Sequence, residues 1–304
     1  MTRILVTGGS GFIGRPVLTA LAARGDEVLA LSSREQPRSI RGVRWCRLDL
    51  GEGDALEELV CELRPQQLLH LAWYVEHGRF WQASENVVWV ERSLRLLRAF
   101  AQAGGQRAVM IGTCAEYDWR SAETPLHEAS SPLVPATLYG AAKDSLRRLA
   151  SAFADSRGLE LAWARLFFLY GPGEPAERLV PSVIRSLLAG RPAATTLGTQ
   201  RRDFMHVDDV AGALVALLHS SATGAVNVAS GRAAAVSEVV DLIGAATGRP
   251  ELLRRGAQPE RPGEPPLIAA DVRRLSQEVG YEPAWTLAGG IEDVVEWWRE
   301  RAQQ

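Results

Sequence analysis

Eight residues near the N-terminus, Thr7-Gly8-Gly9-Ser10-Gly11-Phe12-Ile13-Gly14, restrict the fold more than any other stretch of the chain. They follow Ile4-Leu5-Val6, an apolar run with strand character, and open onto Val17, Leu18, Leu21 and Ala22 at helical spacing. A strand, a glycine turn and a helix in that order form a phosphate cradle. Small residues let backbone N–H groups approach a pyrophosphate, which then sits at the positive end of the helix. Two glycine spacings are legible: Gly9, Gly11 and Gly14 give G-x-G-x-x-G, and Gly8, Gly11 and Gly14 give G-x-x-G-x-x-G. Glycines also make ordinary turns. The strand before and the helix after are what point to a dinucleotide.

Strands and helices alternate for about the first 170 residues. Strands are expected at Glu27–Leu31, Val43–Arg47, Gln67–Leu71, Arg107–Ile111 and Leu161–Leu169. Helices are expected with Leu56, Leu59, Val60 and Leu63 on one face, from about Glu85 to Ala103 with Val88, Leu94, Leu97 and Ala101 periodic, and from about Leu138 to Ser156 with Leu146, Leu149 and Phe153. Repeated β-α units predict an α/β fold: a doubly wound, parallel Rossmann sheet with its ligand across the carboxyl ends of the strands. Past Gly171-Pro172-Gly173 the pattern loosens into loops rich in Pro, Gly and Arg, although a helix Val207–His219 and a strand Ala225–Val228 still read as sheet and cover. The expected division is a dinucleotide-binding domain of residues 1–171 plus about 204–229. A smaller, discontinuous lobe of about 172–203 and 230–304 would bind substrate.

Composition excludes several alternatives. A formal net charge of −2 supplies no electrostatic reason to propose nucleic acid or an anionic membrane as partner. No apolar run approaches the roughly 20 residues of a membrane span. No signal peptide is visible before the first strand, and Cys46, Cys61 and Cys114 lack C-x-x-C spacing, so a reduced, cytoplasmic setting is expected rather than disulfides or zinc.

Tyr139 and Lys143 stand at i and i+4 on a predicted helix and therefore share a face. A free phenol titrates near about 10, too high for acid–base work at neutral pH. An ammonium about 4 Å away is worth roughly 4 kcal/mol at an effective dielectric of 20, or about three pKa units. Thr113, at the carboxyl edge of the fifth strand, offers a hydroxyl to a substrate carbonyl or alkoxide. Taken singly, a tyrosine packing on its own helix and a turn hydroxyl are the competing readings. Asp208 and Asp209 beside His206 invite a metal, but a helix N-terminus favours acidic residues anyway, and no metal is expected.

In combination these stretches resemble the extended short-chain dehydrogenase/reductase family of nucleotide-sugar epimerases, dehydratases and ketoreductases, over essentially the whole length. Thr7 to Gly14 resembles its T-G-G-x-G-F-I-G cradle, Asp49-Leu50 its adenine-contacting acidic pair, and His70-Leu71-Ala72 its H-x-A-A segment. Tyr139 and Lys143 resemble the catalytic pair, and Tyr170-Gly171-Pro172 the Y-G-P turn. Arg202 to Ala211 resembles R-D-F-x-H-V-x-D-V-A, and Arg261-Pro262-Gly263 with Ala270-Asp271 the late R-P-G…A-D segment. The resemblance implies a cofactor held by Gly8, Gly11, Phe12, Ile13, Gly14, Ser32, Ser33, Arg34, Asp49, Leu50, Leu71, Ala72, Trp73, Tyr139 and Lys143. Thr113 would orient the sugar carbonyl, Tyr139 exchange the proton, and Lys143 lower the tyrosine pKa while binding the nicotinamide ribose. Arg202 and Arg261 would hold the diphosphate of a nucleotide-diphosphate sugar.

Departures narrow the chemistry. The second strand ends in Ser32-Ser33-Arg34, where NAD-preferring relatives carry an acid, so NADP(H) is favoured and NAD(H) possible; Arg38 and Arg41 would assist. Cys114-Ala115 replaces the Asp-Glu pair of the dehydratases, with Glu116 one position further on, and Phe168 stands where many relatives have asparagine. Trp73, Tyr74, Phe80, Trp81 and Trp119 would wall a pocket for a deoxysugar methyl group, or pack as ordinary lid. The expected function is NADP(H)-dependent reduction of a nucleotide-linked 4-keto-6-deoxyhexose. The alternatives are a C4 epimerase that retains its nicotinamide and a non-catalytic nucleotide-sensing protein. Resemblance also implies a homodimer through a four-helix bundle, with Val90, Leu94 and Leu97 as apolar contacts.

Overall fold

The computed structural model describes residues 2–33, 39–120, 125–260 and 262–302. Its first half alternates β1 Arg3–Thr7, α1 Gly14–Ala23, β2 Glu27–Ser32, β3 Val43–Arg47, α2 Gly53–Leu63, β4 Gln67–His70, α3 Glu85–Gln102, β5 Arg107–Thr113, α4 Leu138–Arg157 and β6 Glu160–Leu166. There follow β7 Phe168–Tyr170, α5 Leu179–Leu188, β8 Ala193–Ala194, β9 Arg201–His206, α6 Val207–His219, β10 Gly224–Val228, β11 Ala233–Ala235, α7 Val236–Thr247, β12 Leu253–Arg254, β13 Leu267–Ile268, α8 Arg273–Gln277 and α9 Leu287–Ala302.

Seven strands form one parallel sheet in the order β10-β6-β5-β4-β1-β2-β3. The two-residue period of a strand explains how the sheet is covered on both faces. Ile4 and Val6 of β1 pack with Val17, Leu18 and Leu21 of α1 and with Val210 and Leu214 of α6. Leu5, between them, packs on the other face with Leu56 of α2, Leu97 and Phe100 of α3, and Leu146 of α4. Strand order reverses beside β1, whose Thr7 pairs with Leu31 of β2 on one side and His70 of β4 on the other. A crevice beyond the carboxyl ends at that reversal is where such a sheet takes its ligand.

The expected sixth strand, Leu161–Leu169, is two strands. β6 ends at Leu166 in the main sheet, and β7 pairs with β9 in a second sheet containing β11 and β13. An unbroken apolar run does not reveal such a change of sheet, because both segments are covered on both faces. Two helix phases also differ from expectation. α4 buries Leu146, Ala150 and Ala154 and leaves Leu149 53% exposed; α3 buries Ser93, Leu96, Leu97 and Phe100 and leaves Val88 exposed. Leu97 is therefore core, a correction to its expected place in a dimer contact.

α5, α7 and α9 share a separate apolar cluster of Val180, Ile184, Leu187, Ile243, Ile291 and Val294. Asp209, in the first turn of α6, accepts hydrogen bonds from the Tyr281 hydroxyl (2.9 Å) and from the backbone N–H groups of Ala284 (2.8 Å) and Trp285 (2.9 Å). Its carboxylate thus ties the segment before α9 to α6. Among the described residues no group of three His, Cys, Asp or Glu is placed to hold a metal, and no helix is long and apolar enough to cross a membrane.

Candidate active site

The cradle selects the wider of the two glycine spacings. Gly8 has φ +73°, and a Cβ there would lie 2.7 Å from the Ala72 backbone nitrogen. A Cβ at Gly14 would collide with the Gly8 carbonyl oxygen and lie 2.5 Å from Gly9 Cα. A Cβ at Gly9 would press on the flexible Leu18 side chain and meet Trp45 at an ordinary 3.5 Å, with no backbone in the way, so Gly8, Gly11 and Gly14 are the structural set. Gly11 N–H donates to the Gly8 carbonyl at 3.0 Å, closing the turn. No side chain caps the N-terminus of α1 and its first turn contains no acid, which leaves a positive helix end at the crevice. The cradle fits a dinucleotide pyrophosphate.

β4 is keyed to this turn by a buried relay. The Ser93 hydroxyl donates to the Trp89 carbonyl (2.6 Å), so its oxygen is left to accept from His70 Nε2 at 2.8 Å. Nδ1 then accepts from the Thr7 hydroxyl at 2.7 Å, and Thr7 Oγ1 accepts from Ala72 N–H at 3.3 Å. Burial, with the Lys143 charge nearby, pulls the His70 pKa down to about 3, so the ring stays neutral in this tautomer.

At the end of β2, Ser32 is buried and Ser33 exposed, while Arg34 and Arg38 lie outside the described residues. Leu50 is buried. Asp49 accepts from Gly51 N–H at 2.7 Å and faces Arg92 at 3.4 Å. Leu71, Ala72 and Trp73 are half-buried just beyond β4.

Thr113 ends β5 and caps the turn that follows: its hydroxyl accepts from Ala115 N–H at 3.2 Å. The Thr113 hydroxyl lies near enough to the Tyr139 phenol to favour its ionised form. Thr137 caps α4 through Gly140 N–H (3.1 Å), and the Trp81 carbonyl accepts from Tyr139 N–H at 3.0 Å. Phe80 and Trp81 meet the phenol ring edge-on at 5.0 and 5.8 Å, and Trp119 lies 6.3 Å behind Trp81. Burial pushes the Tyr139 pKa above its ordinary value; the Thr113 hydroxyl and the Arg178 guanidinium oppose that push without cancelling it.

Lys143 is buried. Its ammonium donates to the Ile111 carbonyl at 2.7 Å and sits 3.7 Å from the centre of the Trp73 ring. Burial pulls its pKa down to about 7, and Glu116 resists. In the unliganded protein burial outweighs any acidification of Tyr139, whose pKa is raised rather than lowered. Spacing of four sets which face a side chain leaves from, but a four-carbon stem decides where its charge ends. Lys143 is the only lysine of the chain, against 33 arginines. That signal was present in the sequence and marks a position where a fixed guanidinium fork does not replace a compact ammonium.

Cys114 is buried and its thiol pushed up to about 12 by burial, so it has no acid–base use near neutrality. Glu116 faces the core, accepting from Thr113 N–H (2.9 Å), Trp163 Nε1 (2.9 Å) and Arg165 Nε (2.7 Å). Arg202 is buried, ion-paired with Glu264 at 2.8 Å and stacked over Phe168, while Arg261 lies outside the described residues. Two residues escaped the sequence reading. Glu174, just past the Gly171 turn, is buried with Oε1 3.4 Å from Arg178 Nε, and burial raises its carboxyl to about 8. Their i, i+4 spacing was legible, but not its nearness to Tyr139.

The model of the NAD dependent epimerase/dehydratase family matches residues 4–229. A UDP-glucose 4-epimerase of Azospirillum brasilense is 29% identical, over 99% of this chain and 93% of its own. A dTDP-6-deoxy-L-talose 4-dehydrogenase (NAD(P)(+)) of Kitasatospora kifunensis is 30% identical, over 96% of this chain and 94% of its own. Among solved structures, MoeE5 in complex with UDP-glucose and NAD superposes with a TM-score of 0.85 at 30% identity, covering 99% of each chain.

Proposed function

Because the chain belongs to the NAD dependent epimerase/dehydratase family of NAD(P)-dependent nucleotide-sugar enzymes, we propose that it reduces a nucleotide-linked 4-keto-6-deoxyhexose to the 4-hydroxy sugar. A nicotinamide dinucleotide, its pyrophosphate held by Gly8, Gly11 and Gly14, would supply the hydride. The observation that carries the reading is the Tyr139 phenol, set beside Thr113 against Phe80 and Trp81 and kept protonated by desolvation. As hydride reaches C4 the ketone oxygen gathers negative charge. Thr113 orients that oxygen, and Tyr139 gives it the proton. The phenol carries its proton in the unliganded protein, which is the state a reduction starts from. Cys114 and Ala115 supply no acid–base pair for dehydration. Phe80, Trp81 and Trp119 put an apolar wall beside the phenol, matched to a methyl at C6.

The division into a dinucleotide-binding part (1–171 and about 204–229) and a sugar-nucleotide lobe belongs to this reading. So do diphosphate contacts from Arg202 and Arg261. For Arg202 to meet a phosphate, Glu264 has to release it.

Incubation with a 4-keto-6-deoxy sugar nucleotide and NADPH tests the reaction. One reduced nicotinamide is consumed per sugar reduced. The second reading is C4 epimerisation with retained nicotinamide, favoured by the similarity to a UDP-glucose 4-epimerase. It requires sugar interconversion with no net loss of reduced nicotinamide. Absence of either reaction leaves the nucleotide-sensing reading.

NADPH preference follows from Ser33 standing at the end of β2 without an acid. Ser33→Asp is expected to lower NADPH affinity relative to NADH by about tenfold, roughly 1.4 kcal/mol. Equal loss for both cofactors in a binding titration counts against it. The homodimer is retained on other residues than those first expected: α3 and α4 lie side by side, and Val87, Val88 and Leu149 are exposed on them. Leu149→Glu is expected to convert a sedimenting dimer to monomer, and a monomeric unsubstituted protein refutes the interface.

A further inference from the structure

The Lys143 ammonium has three N–H donors and one protein acceptor, the Ile111 carbonyl at 2.7 Å. Among the described residues no carboxylate forms an ion pair with it. Glu116, whose field reaches it, spends its oxygens on Thr113, Trp163 and Arg165. His70, facing it from β4, is neutral. Tyr139 is on its own helix and protonated, and Asp144 beside it is paired with Arg147 at 2.8 Å. What faces the charge is the Trp73 ring, 3.7 Å from the nitrogen to its centre.

We propose that the Trp73 indole is the seat that keeps the Lys143 ammonium charged and in place, so that Trp73 is a positioning residue for the reaction. The ring's negative face attracts a cation, and most strongly where water is excluded. The seat is rigid. Trp73 Nε1 donates to Asn86 Oδ1 at 2.9 Å, and fully buried Asn86 donates in turn to the carbonyls of Phe80 (2.7 Å) and Ala83 (2.9 Å). The same loop lays Phe80 and Trp81 against Tyr139 and accepts at Gln82 Oε1 from Leu138 N–H at 3.2 Å. One buried asparagine therefore sets both the indole under the lysine and the aromatic wall of the tyrosine. Without the ring, burial is opposed only by the field of Glu116 and the Ile111 carbonyl, and the ammonium deprotonates more readily.

The single lysine makes this measurable in the full chain without turnover. With isotope-labelled lysine, the unliganded protein yields one lysine side-chain resonance, whose pH titration reports Lys143. Trp73→Leu is expected to lower its midpoint by about one pH unit or more, and Trp73→Phe by less. Fluorinated tryptophan, which drains charge from the ring face at nearly constant size, is expected to lower it in the unsubstituted sequence. That arm decides even if Trp73→Leu fails to fold. An unchanged midpoint with fluorinated tryptophan, or equal shifts in the Phe and Leu variants, overturns the seat. The inference rests on the oxidoreductase reading only in taking Lys143 as the group that meets the dinucleotide. A resonance unmoved by added NADPH counts against that reading and leaves the titration result standing.

Discussion

Tyr139→Phe is expected to lower turnover by about 10²–10⁴-fold, the range a positioned proton donor contributes. The change removes one oxygen and keeps the ring that Phe80 and Trp81 meet edge-on. The aromatic wall and α4 should therefore stand, and dinucleotide affinity should change little. Thr113 Oγ1 keeps its Ala115 N–H partner, so the stability cost stays at about 1 kcal/mol or below. A loss confined to kcat, with the melting temperature nearly unchanged, supports Tyr139 as the donor. Residual turnover near that of the unsubstituted protein removes it from the reaction.

Lys143→Met is expected to move activity and stability in opposite directions. Turnover falls with the loss of the ammonium, while the unliganded protein becomes more stable at pH 7 by about 1–4 kcal/mol, because a charge no longer has to be buried. The pH dependence gives the sign a second check. Burial lowers the folded pKa of Lys143 to about 7 from 10.5. Between those values the unfolded chain binds a proton that the folded protein does not, so this group's contribution to stability rises with pH, by at most about 1.4 kcal/mol per pH unit. The advantage of Lys143→Met should accordingly be full below pH 7 and shrink as pH rises toward 10. A pH-independent difference between the two proteins would mean that the lysine is charged equally in both states, and the electrostatic account of its pocket would fail.

Both outcomes depend on a division of labour that appears only in three dimensions. Thr113 flanks Tyr139 from the end of β5, Arg178 acts on the same phenol from the start of α5, and Trp73 takes Lys143 from the end of β4. The ends of β4 and β5 and the start of α5 thus meet around Tyr139 and Lys143. Glu116 and Arg165 show the complementary case. Their ion pair at 2.7 Å lies wholly inside the molecule beneath the site, where it fixes the turn after Thr113. Glu116 was the acid nearest in sequence to Thr113, yet its side chain leaves from the far side of the turn.

The sequence by itself determined the strand–turn–helix cradle, the alternation that winds a parallel sheet, and the identity of the residues gathered at its carboxyl edge. Those follow from local rules: glycine where a Cβ collides, two-residue and 3.6-residue periods, and apolar runs long enough to be covered on both faces. Only the tertiary structure decided that the run 161–169 serves two sheets, that Leu97 is core while Leu149 is exposed, and that the lysine's charge rests on an indole. The physical reason is common to all three. Period and spacing specify the direction in which a side chain departs, whereas burial, ion pairing and proton affinity depend on which distant segment it meets.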